Sequence, residues 1–568
     1  MCNIYNEFRL KTGSSFDKIN IVKTMKKITL ITFLLCSCFA FSQNDTLRYA
    51  TAKTNQTLAL INYFYTDTAN IERISEKGIE AMLKELDPHS VFITKDEVKK
   101  MNEPLEGNFD GIGVSFQLLN DSIHVVEVIS GGPAEKVGML AGDIIIKVDD
   151  KPSTGDTIKN DWVFKNLRGE KGTKVKVSVK RATRKEPIVF NITRDKIPIH
   201  SIDTWFMLED SIGYIRLNRF AQTSTDEFVE AVKDLKQQGM KDLIFDLRGN
   251  GGGYLNIAFE IGDHFLSGNK TIVYTQGLHS PRQDYKAQKK GVFEEGKLII
   301  LVDEYTASAS EIVSGAVQDW KRGTIIGRQT FGKGLVQRPF TLEDKSQIRL
   351  TTSRYYTPKG RCIQKPYETY EKNSDTTGDW GIIPDIKVEA DTSRASDYLI
   401  NLRSKGLFNT FALNWVEKHR DDFLKKAPDF ATFEKEYEKL GLLQEFEKYA
   451  KQEGVEKTQV KKQWVNQIVM NYLKQEIEDS TQVFNSYEDY AKDLSSKDKL
   501  VKEIIEKAKE EDTKMQEMNK KSETYIALTL KALIARNLYG VKYFYMCTKE
   551  SDEELQKAIE TIKSENTK

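Results

Sequence analysis

Histidine, cysteine and net charge are all scarce in this chain, and each shortage closes off a class of chemistry. Only six histidines occur among 568 residues. None shares a glycine-rich turn with a serine, so a serine–histidine pair is not on offer. His89, within Asp87-Pro88-His89-Ser90, reads as a turn residue or a buried hydrogen-bonding group rather than a base. The five cysteines form no Cys/His cluster with metal-ligand spacing, and there is no His-Glu-x-x-His. The expected chemistry is independent of metals and cofactors. Lysine and arginine number 85 against 84 aspartates and glutamates, a net charge of +1. No global field would draw such a chain to nucleic acid. A hydrophobic fraction of 39% argues against a multi-pass membrane protein. At this length three or four domains are expected.

What is present is a serine and a lysine on two small-residue turns. Thr306-Ala307-Ser308-Ala309-Ser310-Glu311-Ile312 is followed by Phe331-Gly332-Lys333-Gly334-Leu335-Val336-Gln337, placing Ser308 and Lys333 25 positions apart. A serine hydroxyl is a weak nucleophile until a base takes its proton, and a lysine amine can do so only when neutral. At a pKa of about 10.4, roughly one lysine in a few thousand is neutral at pH 7. Lowering that value to about 7–8 means disfavouring the ammonium by roughly 3–5 kcal/mol, which calls for desolvation. Leu298-Ile299-Ile300-Leu301-Val302 is an unbroken apolar run, as in a buried parallel strand. It ends at Asp303, and an amphipathic helix is expected from Glu311 to Trp320. Ser308 then falls where strand becomes helix, near free amides and a positive dipole end that favour an oxyanion. An N-cap serine is the plain alternative at such a position.

Upstream, Leu243-Ile244-Phe245-Asp246-Leu247-Arg248-Gly249-Asn250-Gly251-Gly252-Gly253 runs from an apolar strand into a glycine-rich turn. A phosphate loop would need Gly-Lys-Ser/Thr after the glycines, which is missing. The spacing of a dinucleotide-binding loop is not met either. A turn that brings backbone amides close to a substrate carbonyl fits better, with Gly252 as the suggested donor.

These motifs together resemble the carboxyl-terminal processing, or tail-specific, proteases. The resemblance covers roughly residues 50 to 390 and rests on Ser-Ala-Ser-Glu-Ile, on Phe-Gly-Lys-Gly with Gln337 four residues after the lysine, and on Asp-Leu-Arg-x-Asn-x-Gly-Gly. It implies a multidomain α/β protein with a ClpP/crotonase-like α/β protease core. It implies Ser308 as nucleophile, Lys333 as general base and Gln337 orienting the lysine amine. It also implies oxyanion donors from Ala309 and the Gly252 region. Ser310 is the runner-up nucleophile. Gly251 departs from many members, which carry proline there; a looser turn with intact chemistry is expected.

Residues 104–195 read as a β-rich module, with strands at Val114–Leu118, Ile123–Val128, Asp143–Val148, Val175–Lys180 and Ile188–Thr193 and a helical stretch from Thr157 to Leu167. Gly111-Ile112-Gly113-Val114 resembles the carboxylate-binding loop of a PDZ domain, as Gly132-Pro133-Ala134 and Leu140-Ala141-Gly142-Asp143 resemble its turns. Amides in such a loop cradle a terminal carboxylate while the peptide adds as a strand. The partners implied are proteins or peptides with free C-termini. Arg168 is a candidate for coupling peptide binding to catalysis, with a solvated surface arginine as the plain alternative.

Met25-Lys26-Lys27, the apolar stretch from Ile28 and the small residues Ala40 and Ser42 have the layout of a secretory signal peptide at 25–42, cut before Gln43. Residues 1–24 are polar and unpatterned, so the start is expected at Met25. Export to the periplasm or cell envelope follows. Lipid attachment at Cys38, with membrane association, is the lesser alternative. Cleavage would leave Cys362 and Cys547, expected as free thiols. Residues 43–103 look helical, at Thr57–Phe64 and Ile71–Leu86, and suit packing or dimer contacts. The protease core is assigned to 196–394. From 395 to 568 glycine thins out and no proline follows Pro428. Helices are expected at Phe433–Tyr449, Lys497–Lys509 and Tyr525–Tyr543, forming a C-terminal domain that caps the site, sets an oligomer, binds an adaptor or regulator, or only stabilises the protein.

Two rivals differ in class. A non-catalytic peptide-binding scaffold with a degenerate core would be expected to have lost Ser308, Lys333 or Gln337. A penicillin-binding type hydrolase needs Ser-x-x-Lys on one helical turn, and Ser496 to Lys499 lies in charged helical sequence.

Overall fold

In the computed structural model, the described residues are 45–366 apart from 120, 130, 182, 183 and 210, then 380–457 and 499–565. The expected signal peptide, with Cys36 and Cys38, lies outside them, as does Ser496. The chain divides into two compact units, one formed by residues up to Thr94 with Pro339–Leu350, the other by Lys95–Arg338 with Thr351 onward. Among the described residues no helix is long and apolar enough to cross a membrane.

The first unit holds helices Asp45–Phe64 and Ile71–Lys84 and the short strand Val91–Ile93, paired antiparallel with residues 347–349. Asn70 caps the second helix by accepting the Arg73 N–H at 3.0 Å. His89 sits in a turn that Asp87 ties down by accepting the His89 and Ser90 amides, each at 2.8 Å.

The second unit contains three layered parts. Its centre is a six-stranded sheet in the order Ile202–Glu209, Ile212–Leu217, Asp242–Asp246, Leu298–Val302, Thr324–Gly327 and Ile386–Lys387. Only the first pair is antiparallel. The sheet order follows the chain order, so successive right-handed crossovers put their helices on the same face. Those helices, Ser224–Gln237, Leu255–Asp263 and Ala309–Asp319, bury Phe228, Ile257, Ile261 and Val313 against Leu243, Phe245, Ile300 and Val302. The alternate residues Ile244, Ile299, Leu301 and Ile326 face the other way, onto Leu555, Ala558, Ile559 and Ile562 of the C-terminal helix Glu553–Glu565. Cover on both sides explains why all five residues of Leu298–Val302 are buried.

The β-rich module matches its expected strands closely, at 114–119, 122–128, 144–148, 174–180 and 188–193. Its sheet runs in the order 114–119, 122–128, 144–148, 174–180, 188–193, so Val114–Leu119 is an edge. The third part is helical, with a core of Phe408, Phe411, Trp415, Phe433, Phe446, Leu530 and Ile534. Two boundaries differ from expectation. Phe433–Tyr449 is not one helix but parts of Phe430–Tyr437 and Leu442–Gln452, broken at Gly441, whose φ is +61°. Conversely, one helix runs from Lys499 to Tyr539 and stops only at Gly540, with φ +107°. The multidomain α/β architecture with a helical C-terminal region is thus realised. Cys362 and Cys547 are free thiols. Burial pushes the Cys547 thiol up to about 12.

Candidate active site

Three strand ends build the site. After Val302 the chain turns through Asp303 to Ala307, and Ser308 caps the helix Ala309–Asp319. Thr306 fixes this turn: its Oγ1 donates to the Leu247 carbonyl and lies 3.0 Å from Asp303 Oδ1. Asp303 Oδ1 in turn accepts the Gly249 N–H at 3.0 Å, joining the turn to the glycine-rich loop. Ser308 has φ +58° and ψ −115°, a region that a residue with a Cβ rarely enters. Such strain costs about 1–3 kcal/mol and persists only where surroundings enforce it. It belongs with a sharp strand-to-helix turn that presents a side chain.

The enforcing group is Glu311, fully buried one turn into the helix. Its Oε2 accepts the Ser308 N–H at 2.7 Å and the Lys333 N–H at 2.9 Å. Its Oε1 accepts the Thr330 hydroxyl at 2.6 Å and the Gly332 N–H at 2.8 Å. One carboxylate therefore holds the serine and lysine turns together. Burial pushes the Glu311 carboxyl up, against the opposing pull of these four donors. Opposite it, the buried Tyr355 hydroxyl reaches the backbone carbonyls of both Ser308, at 3.0 Å, and Lys333. Behind the lysine, Gly332 adopts φ +83°, and a Cβ there would lie 2.7 Å from the Trp380 ring. Ser308 and Lys333 are each partly exposed. Gln337 lies on the strand Leu335–Thr341, and its Nε2 donates to Thr351 Oγ1 at 3.3 Å.

The glycine-rich loop is pressed against the serine. Gly252 has φ +100°, and a Cβ added to it would lie 2.8 Å from Ser308 Cβ and 2.9 Å from the Ala309 nitrogen. Asn250, fully buried, organises the loop. Its Nδ2 donates to the Leu217 carbonyl at 2.9 Å, and its own carbonyl accepts the Ala307 N–H and the Ser310 hydroxyl, both at 3.0 Å. Ser310 is thereby fully buried and committed to the scaffold, which removes it as a nucleophile. Asn250 Oδ1 also accepts the Gly252 N–H at 2.8 Å. The Ala309 N–H, at the first turn of the helix, makes no hydrogen bond among the described residues.

Comparison with known proteins gives this arrangement its family. Residues 211–388 match the model of peptidase family S41, and residues 111–192 match that of the PDZ domain. A carboxy-terminal-processing protease of Bartonella bacilliformis is 36% identical over 330 residues, which span 57% of this chain and 72% of that protein. The chain belongs to the carboxy-terminal-processing proteases of family S41. It is a serine peptidase. Among solved structures, the photosystem II D1 C-terminal processing protease is 28% identical, covering 58% of this chain and 85% of its own, with a TM-score of 0.34. The peptide-bound PDZ domain of a Vibrio cholerae carboxy-terminal protease is 31% identical, covering 16% of this chain and 99% of its own, with a TM-score of 0.15. Residues 398–463 and 457–540 match a family of unknown function, DUF8443.

In this S41 protease the PDZ module carries a second candidate site. A cavity of about 330 Å³ lies between the edge strand Val114–Leu119 and the helix Asn160–Leu167. Ile112, Gly113, Val114 and Arg168 line it. Gly111 closes the preceding strand, paired with Asp195. Gly113 has φ +81°, and neither the Ile112 nor the Gly113 N–H is bonded among the described residues. Arg168 stacks on Phe109 and Phe164, at 4.5 and 4.8 Å, and pairs with the buried Glu103.

Reading the sequence found the serine, the lysine and the glycines but missed Glu311, Tyr355 and Asn250. For Glu311 a signal existed: Ser308-Ala309-Ser310-Glu311 is a capping box. Tyr355 sits 22 residues beyond the lysine, on a strand that only the sheet brings back.

Proposed function

We propose that this chain is an exported serine endopeptidase in which Ser308 and Lys333 form a catalytic dyad, selecting proteins by their C-terminal tails through the PDZ groove. The observation that carries the dyad is the Glu311 carboxylate, bonded to the backbone N–H of both residues. A scaffold with no chemistry to perform has no use for a strained serine held in register with a lysine.

In this reading neutral Lys333 accepts the Ser308 Oγ proton as Oγ bonds to the scissile carbonyl carbon. The carbonyl π pair moves to oxygen, where the Ala309 N–H and the helix dipole stabilise it. Lys333 then delivers the proton to the departing amine, and the C–N bond breaks. Water attacks the acyl-enzyme with Lys333 as base again, releasing the new carboxyl terminus and Ser308. The second oxyanion donor comes from the Gly252 turn, whose N–H must first leave Asn250 Oδ1. In the same reading Gln337, whose Nε2 donates to Thr351 Oγ1, orients the lysine amine. Tail selection uses the open edge of Val114–Leu119 for strand addition, with the Ile112 and Gly113 amides receiving the terminal carboxylate. Export through residues 25–42 would leave a mature chain from Gln43 in the periplasm or envelope.

The test is hydrolysis of an unfolded protein with a free apolar C-terminus by the chain from Gln43. Wild type, Ser308→Ala and Lys333→Ala are compared with and without EDTA. Activity lost in both variants and indifferent to EDTA is expected. Two variants that cut as well as wild type would refute the dyad, and tail binding without cleavage by wild type would favour the scaffold.

A further inference from the structure

The C-terminal helix does more than cover the back of the sheet. Its first turn carries Asp552, Glu553 and Glu554, where carboxylates suit the positive end of the helix dipole. Asp552 caps the helix, its Oδ1 accepting the Leu555 N–H at 3.0 Å. Two of these acids then reach arginines at the ends of two sheet strands. Arg248 Nη2 lies 2.7 Å from Asp552 Oδ2, and Arg248 Nη1 also meets Glu554 Oε2. The other oxygen of Glu554 meets Arg328 Nη1. Glu554 therefore bridges two arginines, one per oxygen, and its side chain is only 12% exposed.

Each arginine stands directly before a reactive loop. Arg248 opens the glycine turn, followed by Gly249, Asn250 and Gly252. Its guanidinium is also held by Asp246 at 2.7 Å, and Asp246 pairs with Arg216 at 2.8 Å. Arg328 follows the strand Thr324–Gly327 and leads through Thr330 and Gly332, both bonded to Glu311, into Lys333. Arg328 Nε also binds Glu304, in the turn before Ser308, at 2.6 Å. All three loops of the site thus converge on one ionic lattice whose shared member is contributed by a helix more than 200 residues further along the chain.

We infer that Glu554 is a positioning residue for the protease reaction: it sets the spacing between the glycine turn and the lysine turn, so the C-terminal helix is a working part of the active site. The proposal rests on the Ser308–Lys333 reading. Its chemistry is plain. A carboxylate between two guanidiniums fixes their separation through charge-assisted bonds, and a site displaced by about 1 Å loses on the order of 100-fold in rate.

The experiment measures kcat and KM on the full mature chain, with the rate at which a fluorophosphonate labels Ser308. Glu554→Gln is expected to lower kcat and the labelling rate together, by about tenfold or more, with KM within about twofold. Glu554→Asp, too short to reach both arginines equally, should fall between. Glu553→Gln removes the same charge from the same turn, where Glu553 faces Arg394, and should leave kcat unchanged. Arg328→Gln combined with Glu554→Gln should lose less than the product of the two single losses, because the variants share the Arg328–Glu554 contact. Unchanged kcat in Glu554→Gln with only a lowered Tm would overturn the proposal, as would equal losses in Glu553→Gln. Should Glu554→Gln fail to fold, wild-type kcat in Glu554→Asp would overturn it. Cleavage by Ser308→Ala would sink the dyad reading itself; an inert Ser308→Ala beside a fully active Glu554→Gln would sink only the positioning role.

Discussion

Glu311 binds the backbone of Lys333 at 2.9 Å from 22 residues away, while the same oxygen binds the backbone of Ser308 at 2.7 Å. One buried carboxylate therefore ties the backbones of the two turns together, and Tyr355 reaches the carbonyl of each.

Glu311→Gln should expose this dependence. All four neighbours of the carboxylate donate, and an amide nitrogen would face two of those donors with a third. Each stranded buried donor costs about 1–3 kcal/mol. The expected result is a loss of at least that much by urea unfolding, and kcat reduced by about 100-fold. A variant of wild-type kcat would show that the clamp is dispensable.

Tyr355→Phe removes one oxygen shared by the Ser308 and Lys333 carbonyls. We expect about 1–2 kcal/mol of lost stability, as for other buried hydrogen bonds. The kcat should fall and KM should hold, since neither carbonyl touches the PDZ groove. A rise in KM alone would place Tyr355 in substrate binding instead.

The adjacent glycines should behave as opposites. A Cβ on Gly251 meets nothing within 4 Å, whereas one on Gly252 meets the Ala307 oxygen and Ser308 Cβ at 2.8 Å. Gly251→Ala is expected to be neutral, or to stabilise by a few tenths up to about 1 kcal/mol by restricting the unfolded chain. Gly252→Ala should abolish hydrolysis. Thermal melts and turnover on the two variants decide it, and an active Gly252→Ala would mean that the loop is not packed on the serine.

Acid sensitivity should trace to Asp246. Burial opposes its charge, but Arg248 and Arg216 outweigh that and hold the carboxyl well below its ordinary range. Its folded pKa is thus below the unfolded value of about 3.9. The stability it contributes is present above that pH and is lost as pH falls toward the folded value. Asp246→Asn should cost about 3–5 kcal/mol at pH 7, because it strips a buried pair of its anion. The gap to wild type should narrow below about pH 4. Urea unfolding across pH 7 to 3 checks this, and a gap independent of pH would refute it.

Arg168 lines the PDZ groove between two aromatic rings. If it helps to receive a terminal carboxylate, Arg168→Ala should weaken binding of a free-acid peptide by about tenfold, at about 1.4 kcal/mol, and leave the amidated peptide unaffected. Equal binding of both peptides in wild type would remove the carboxylate from recognition.

Much of the fold was legible because period and punctuation agree. The module strands at 114–119 and 188–193 alternate between turn signals, and Leu298–Val302 is apolar on both faces because both are covered. The helix breaks at Gly441 and Gly540 were less legible, since single glycines within amphipathic stretches do not announce whether φ turns positive. The serine and lysine turns were legible from local chemistry, and so was the helix cap. The lattice of Arg248, Arg328 and Glu554 was not, because its members lie on separate strand ends and on the last helix, with no spacing to connect them.

The sequence by itself determined which residues could react: a serine at a strand-to-helix turn, a lysine between glycines, and a glycine loop able to approach both. Local backbone preference and side-chain chemistry suffice for that. Tertiary structure alone decided that Glu311 reaches past its own helix cap to the lysine turn, that Tyr355 and Asn250 hold the turns, and which amide of the glycine loop is already engaged. It also decided that the far end of the chain closes the sheet behind them. These are long-range matters, because each buried donor or charge must find its partner wherever the fold brings one within about 3 Å.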